Sequence, residues 1–184
     1  MAGRMRIIGI DPGTNLLGFG VIDVVRGEPV LVDMDVLDLR KEADAYAKLQ
    51  RICLEIGRVC DTYRPDVMAL ESPFLGKNAQ VIFKLGRAQG AAIIAAVSRG
   101  IAVHEYAPRK AKVAITGNGS ASKEQVANMI SRLLKVELNP SHLDATDAVA
   151  IALCHHFQLK NPLAGAKSSS SWEKFVADNP GRVK

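Results

Sequence analysis

Cysteine is scarce in this chain of 184 residues: three occur, Cys53, Cys60 and Cys154. An odd number with no Cys-x-x-Cys pair argues against both a disulfide framework and a zinc site, and predicts reduced core thiols in a cytoplasmic protein. No apolar run reaches the ~20 residues that a membrane span needs. The opening residues, MAGRMR, lack the apolar core of a signal peptide, so export is not expected. No internal repeat is visible. Acidic residues are almost missing from one segment: residues 72–123 carry eight basic side chains (Lys77, Lys84, Arg87, Arg99, Arg109, Lys110, Lys112 and Lys123) and a single acid, Glu105. Elsewhere the balance is different. Residues 1–71 hold nine basic and twelve acidic residues, residues 124–159 two and four, and residues 160–184 five and two. A net charge of +5 concentrated in one middle segment suits a polyanionic ligand, with a solvated basic face as the plain alternative.

What is present reads as one soluble α/β domain. MRIIGID and LLGFGVIDVV are strand-like runs joined by the turn PGTN. EPVLVDMDVLDL alternates, with Val30, Val32, Met34 and Val36 on one side and Leu31, Asp33, Asp35 and Leu37 on a wetter side, which predicts a third strand. The period then becomes helical: Leu49, Ile52, Cys53, Ile56, Val59 and Cys60 share a stripe that stops at Arg64-Pro65. DVMALES predicts a buried strand, AQVIFKLGRAQGAAIIAAVSR a long helix rich in small residues, and IAVHEY another strand. PRKAKVAIT, a KEQVANMISRLLK segment capped by Ser122, and a segment opening at Asn139-Pro140 predict three further helices. The order β-β-β-α-β-α-β-α-α-α implies an antiparallel meander leading into βαβ units, hence a mixed five-stranded sheet with helices on both faces. Residues 1–159 form the expected domain. Residues 160–184, bearing Ser, Gly, Pro and Trp172, read as a mobile tail. In that tail Trp172, Phe175 and Val176 have the spacing of one helical turn, which would suit contact with a partner protein or a second copy.

Acids stand at the edges of these elements. Asp11 ends the first strand and Glu71 the fourth, while Asp144 and Asp147 lie three apart at the start of the last helix. Each alone has an ordinary explanation, since Asp before Pro-Gly is a turn device and Asp144 suits a helix N-terminus. Together they would repel one another unless cations lay between them. Clustered carboxylate oxygens are the ligand set of Mg²⁺, and two such ions ~4 Å apart serve in-line phosphodiester cleavage.

IIGIDPGTNLLGFGVI, ALESPFLGKNAQVIFKLGRAQGAAIIAAV, VHEYAPRKAKVAITGNGSASKEQV and NPSHLDATDAVAIAL, in order and at matching spacing, resemble the RuvC family of Holliday-junction resolvases from about Arg6 to Phe157. The resemblance implies a ribonuclease-H-like fold and a homodimer that nicks two opposed strands of a four-way DNA junction. It places Mg²⁺ on Asp11, Glu71, Asp144 and Asp147, two ions per site, with Mn²⁺ as a substitute. Some members carry His at the third of these positions; here Asp144 is kept and His142 lies nearby. The resemblance also implies that Lys112 and Lys123 lie near the scissile phosphate, that Phe74 stacks on an unpaired base, and that the helix from Ala79 to Ser98 is the dimer contact. A RuvA–RuvB branch-migration assembly is the expected partner. Lys77, Arg87, Arg109 and Lys110 are candidate backbone contacts, and Gly117 and Gly119 would let a loop approach DNA. Three other readings compete. The motif IDPGT with GFG also resembles the first phosphate loop of actin-like ATPases and sugar kinases, but the chain is too short and lacks a second such loop. A ribonuclease-H-like enzyme acting on RNA would differ by its substrate. A protein that only binds junctions would gain nothing from crowding four acids.

Overall fold

The computed structural model describes residues 3–72, 78–137 and 143–160. β1 (Met5–Asp11), β2 (Leu16–Val25) and β3 (Glu28–Asp38) form an antiparallel meander. Arg26 and Gly27 both have positive φ, at 53° and 85°, the backbone of a tight hairpin turn closed by the Val25–Glu28 pair. α1 (Ala45–Tyr63) follows. Its N-cap Asp44 accepts from the Tyr46 and Ala47 amides, and it ends at left-handed Arg64 just before Pro65. β4 (Val67–Glu71) then runs parallel to β1, α2 (Ala79–Val97) crosses over, and β5 (Ala102–Tyr106) runs parallel to β4. The strand order is β3-β2-β1-β4-β5. Three helices complete the chain: α3 (Pro108–Thr116), α4 (Lys123–Leu134) and α5 (Leu143–Lys160). Ser122 caps α4 in a reciprocal box with Gln125. All ten elements are those the sequence pattern predicts, in the same order. The opening of the last helix at Asn139-Pro140 and the tail beyond Lys160 lie outside the described residues.

β3 departs from the simple alternation. Ile22 pairs with Leu31 but Val21 pairs with Asp33, so Val32 is an extra residue in a bulge. The bulge resets the phase of the strand. Leu31 and Met34, three apart, both pack into the core on the α5 side, while Val30 and Val32 stay exposed. A strict period of two cannot describe such a strand.

The sheet separates two apolar cores. Ile8, Ile10, Val21, Met68 and Leu70 meet Ile52 and Ile56 of α1 and Ala88, Ala92 and Ala96 of α2. Ile7, Ile22, Val67 and Ala69 meet α5, which is roofed in turn by Ala111 and Ile115 of α3 and Val126 and Ile130 of α4. α5 is thus buried nearly all round, from Ala145 to His156. It approaches the sheet closely because the strands beneath it lack side chains. A Cβ on Gly9 would lie 2.0 Å from the Ala148 carbonyl oxygen, one on Gly18 2.1 Å from the Asp144 carbonyl oxygen, and one on Gly20 2.4 Å from the Val149 side chain. Gly9 and Gly20 face each other across β1 and β2. Gly18→Ala forces α5 off the sheet, so urea denaturation should show a loss of about 2 kcal/mol or more, the scale of overpacking a rigid core. An unchanged midpoint would show that α5 tolerates the shift.

Candidate active site

The last register pair between the parallel strands is Ile10 with Leu70. Alternation sends Ile8, Ile10, Met68 and Leu70 into the α1–α2 core. Asp11 and Glu71, one residue further on, therefore turn to the α5 side, next to each other at the sheet edge. Gly18 opposes Asp11 across β2, and the Asp144 carbonyl rests over Gly18. That contact lowers the first turns of α5 onto the strand end. Carboxylate oxygens of Asp11, Asp144 and Asp147 come within 4.8 Å of one another. Glu71 is not part of this tight trio but lines the same cleft of about 340 Å³, together with Asp11, Asp147, Lys112 and Lys123. All four predicted acids thus converge, three closely and one on the adjoining wall. A half-buried set made of oxygen donors suits a hard divalent cation.

The cations of the cleft are fixed from the roof. Lys123, the first residue of α4, reaches Asp147 Oδ2 at 2.5 Å and Asp144 Oδ1 at 3.3 Å. Burial opposes its charge, but hydrogen bonds and attraction from Asp147 and then Asp144 outweigh that and hold its pKa above the ordinary lysine value. Lys112 of α3 donates to the Ala121 carbonyl at 2.8 Å, which ties α3 to the turn before α4 while its charge faces the cleft. Burial is the main force on Asp11 and, with repulsion from Asp147 and Asp144, lifts its pKa to about 7 despite Lys123. Burial likewise lifts Glu71 to about 8, helped by Asp11 and Asp147 and opposed by Lys123 and Lys112. Burial and mutual repulsion thus favour the protonated forms of Asp11 and Glu71.

The remaining candidates are more dispersed. Arg109 lies along Gly119, whose Cβ would meet it at 2.7 Å, and Lys110 stands 5.3 Å over the Tyr106 ring. Gly117, at φ 74°, terminates α3. Arg87 lines a separate groove with Thr14 and Asn15, on the α1–α2 side of the sheet, rather than the acidic cleft. Phe74, Lys77 and His142 lie outside the described residues. Two features escape a reading of the sequence. Gly9, Gly18 and Gly20 act through α5, although their alternate spacing within strands was a visible signal. Lys48 of α1 donates to the Thr14 carbonyl at 2.9 Å and to Asn15 Oδ1 at 3.0 Å, holding the turn that follows Asp11, and nothing local marks it.

The raised Asp11 pKa has a definite sign. Between pH ~4 and ~7 the folded protein keeps a proton that the unfolded chain releases, so this group's contribution is complete below its unfolded pKa and is lost as pH rises through about 7. Asp11→Asn removes that loss. In EDTA its Tm relative to the unsubstituted protein should therefore rise between pH 4 and pH 8, by the equivalent of ~1–3 kcal/mol. A difference independent of pH would overturn this account.

Residues 7–155 match the protein family described as crossover junction endodeoxyribonuclease RuvC. The chain is similar to the crossover junction endodeoxyribonuclease RuvC of Bacteroides fragilis, 49% identical over 180 residues that cover 97% of this chain and 95% of the relative. Among solved structures it is similar to Thermus thermophilus RuvC, with a TM-score of 0.75 and 34% identity over 85% of this chain and 96% of the other. It is equally similar, at TM-score 0.75 and 31% identity, to Thermus thermophilus RuvC in complex with a Holliday junction substrate, covering 85% of this chain and 95% of that one. The fold and the sequence agree along nearly the whole folded body: the chain belongs to the RuvC family of crossover junction endodeoxyribonucleases.

Proposed function

We propose that this chain resolves four-way DNA junctions by paired, symmetric, Mg²⁺-dependent nicks that leave 5′-phosphate and 3′-hydroxyl ends. The carrying observation is the convergence of Asp11, Asp144 and Asp147 within 4.8 Å, with Glu71 on the wall of the same cleft. The oxygen-only donor set, its partial burial and the raised Asp11 and Glu71 pKa values all fit a group of positive charge. Asp11, Glu71, Asp144 and Asp147 would hold two Mg²⁺ ions, which when bound lower the pKa of a water and neutralise a leaving 3′ oxygen. The chain's own residues do the rest. The two strand ends and α5 hold the acids on rigid elements, so little reorganisation is needed at the moment of cleavage. Lys123 balances Asp144 and Asp147 and would offer its ammonium to a phosphate oxygen in the cleft. Lys112 presents a second positive charge at the cleft while bracing the turn before α4.

Two nicks on a two-fold-related substrate call for two copies of the site, which a homodimer supplies. Support for that reading comes from α2, where Val81, Phe83, Ile94 and Val97 are exposed and Gly86 and Gly90 leave open space above the backbone. A RuvA–RuvB assembly is the proposed partner in branch migration. Cytoplasmic action of the domain 1–159, with residues 160–184 as a tail, completes the reading; among the described residues no helix is long and apolar enough to cross a membrane.

Three assays test it. With Mg²⁺ the protein should cut a mobile synthetic junction in preference to a linear duplex or an RNA–DNA hybrid, and EDTA should abolish cutting. Asp11→Asn and Asp144→Asn should each lower the cleavage rate by ~10³-fold or more, the scale of losing a group that stabilises the transition state, with junction binding retained in a gel-shift assay. Preferential cutting of the hybrid, or full activity in either variant, sinks the proposal. Ile94→Asp should convert the dimer to a monomer by sedimentation and abolish coordinated double nicking; a dimer that persists removes α2 from the interface.

A further inference from the structure

On the α1–α2 side of the sheet, opposite the face that carries the acids, lies a groove of about 530 Å³. Its walls are the β1–β2 turn, the start of α1 and the middle of α2. The turn residues Thr14 and Asn15 follow Asp11 by three and four positions, so the groove opens at the sheet edge that carries the acids. Lys48, Lys84 and Arg87 line it. Two acids line it as well, but Asp44 is engaged with the Tyr46 and Ala47 amides as the cap of α1, leaving Glu42 against three cations. Lys48 is committed to the turn. Lys84 and Arg87 are not committed to any acid: among the described residues no carboxylate lies within ion-pair distance of either. By contrast Arg99 and Lys123, from the same basic segment, are both paired. The Arg87 guanidinium lies 4.1 Å over the Phe83 ring, which supports its plane and leaves its edge N–H groups free to donate. Exposed cations are ordinarily solvated and meaningless one by one. Here two of them, one helical turn apart, line a groove with a turn that is itself pinned and that follows Asp11 directly in the chain.

We infer that this groove is a phosphate-backbone subsite for the strand being cut, with Lys84 and Arg87 contacting phosphates within a few nucleotides of the scissile bond. The inference rests on the junction-nuclease reading above and extends it to a part of the surface outside the acidic cleft. The volume suits a nucleotide unit rather than a duplex cross-section, and an Arg fork with a nearby Lys point charge recognises phosphate without reading bases. The subsite would thus set the register of the strand in the cleft without choosing its sequence.

The test uses the full chain carrying Asp144→Asn, so that binding is measured without cleavage, with and without the further pair Lys84→Gln and Arg87→Gln. Junction affinity is followed from low to moderate salt. The double substitution should reduce the slope of log affinity against log salt by about 2, one for each phosphate no longer neutralised, and should weaken binding ~10-fold or more at physiological salt, while Lys84→Arg with Arg87→Lys keeps the slope. Neutralising single phosphates as methylphosphonates along the cleaved strand should weaken binding of the parent at one or two positions near the cut and leave the double variant indifferent there. An unchanged slope, or an equal response to every methylphosphonate, in a variant with parental circular dichroism and sedimentation overturns the subsite alone. If the parent binds junctions no better than linear duplex, the nuclease reading fails and the subsite with it.

Discussion

The site depends on how closely one helix lies against one pair of strands. α5 carries two of the four acids, and its backbone rests where Gly9, Gly18 and Gly20 leave the sheet bare. A single methyl at Gly18 would collide with the Asp144 carbonyl. Because the interior is close-packed and stiff, such a collision would not be absorbed locally; it would lift the helix. The facing residues of α5 are correspondingly small: Ala145, Ala148 and Ala152 are all fully buried. Small against absent is the geometry that lets an acid on a helix reach acids at strand ends.

This proximity has an electrostatic consequence. Four carboxylates at one edge are held by a scaffold stable enough to bear their repulsion, and two of them answer by raised pKa values. Lys123 offsets part of the strain from the other side, placed by a capped helix whose start is fixed by Ser122 and Gln125. Fold stability and the gathering of acids therefore oppose each other at this edge, as expected where carboxylates are crowded out of water. The packing that lies away from the edge, around Ile8, Ile10 and Leu70 on one face and Ile7 and Val149 on the other, supplies the compensation.

Much of this was legible from residues in order. The alternation of MRIIGID and the 3.6-residue stripe of α1 report burial directly, because each strand or helix face meets one environment along its length. The breakdown at β3 is equally instructive. A bulge at Val32 costs one residue of phase, and no property of VLVDM announces it; it is set by how β3 must pair with β2. Lys48 is similar. Its neighbours on α1 give no hint that its ammonium closes a turn thirty-odd residues earlier.

The sequence by itself determined the elements, their order, the identity of the four acids and the basic middle segment, since propensity, periodicity and charge are local quantities. Only the tertiary structure decided that Asp11, Asp144 and Asp147 form a close trio with Glu71 on the adjoining wall, that Lys123 rather than Lys112 bridges the acids, and that Arg87 faces a separate groove. Those outcomes depend on the distance between elements far apart in the chain. That distance is settled by packing over three glycines, which no local pattern can measure.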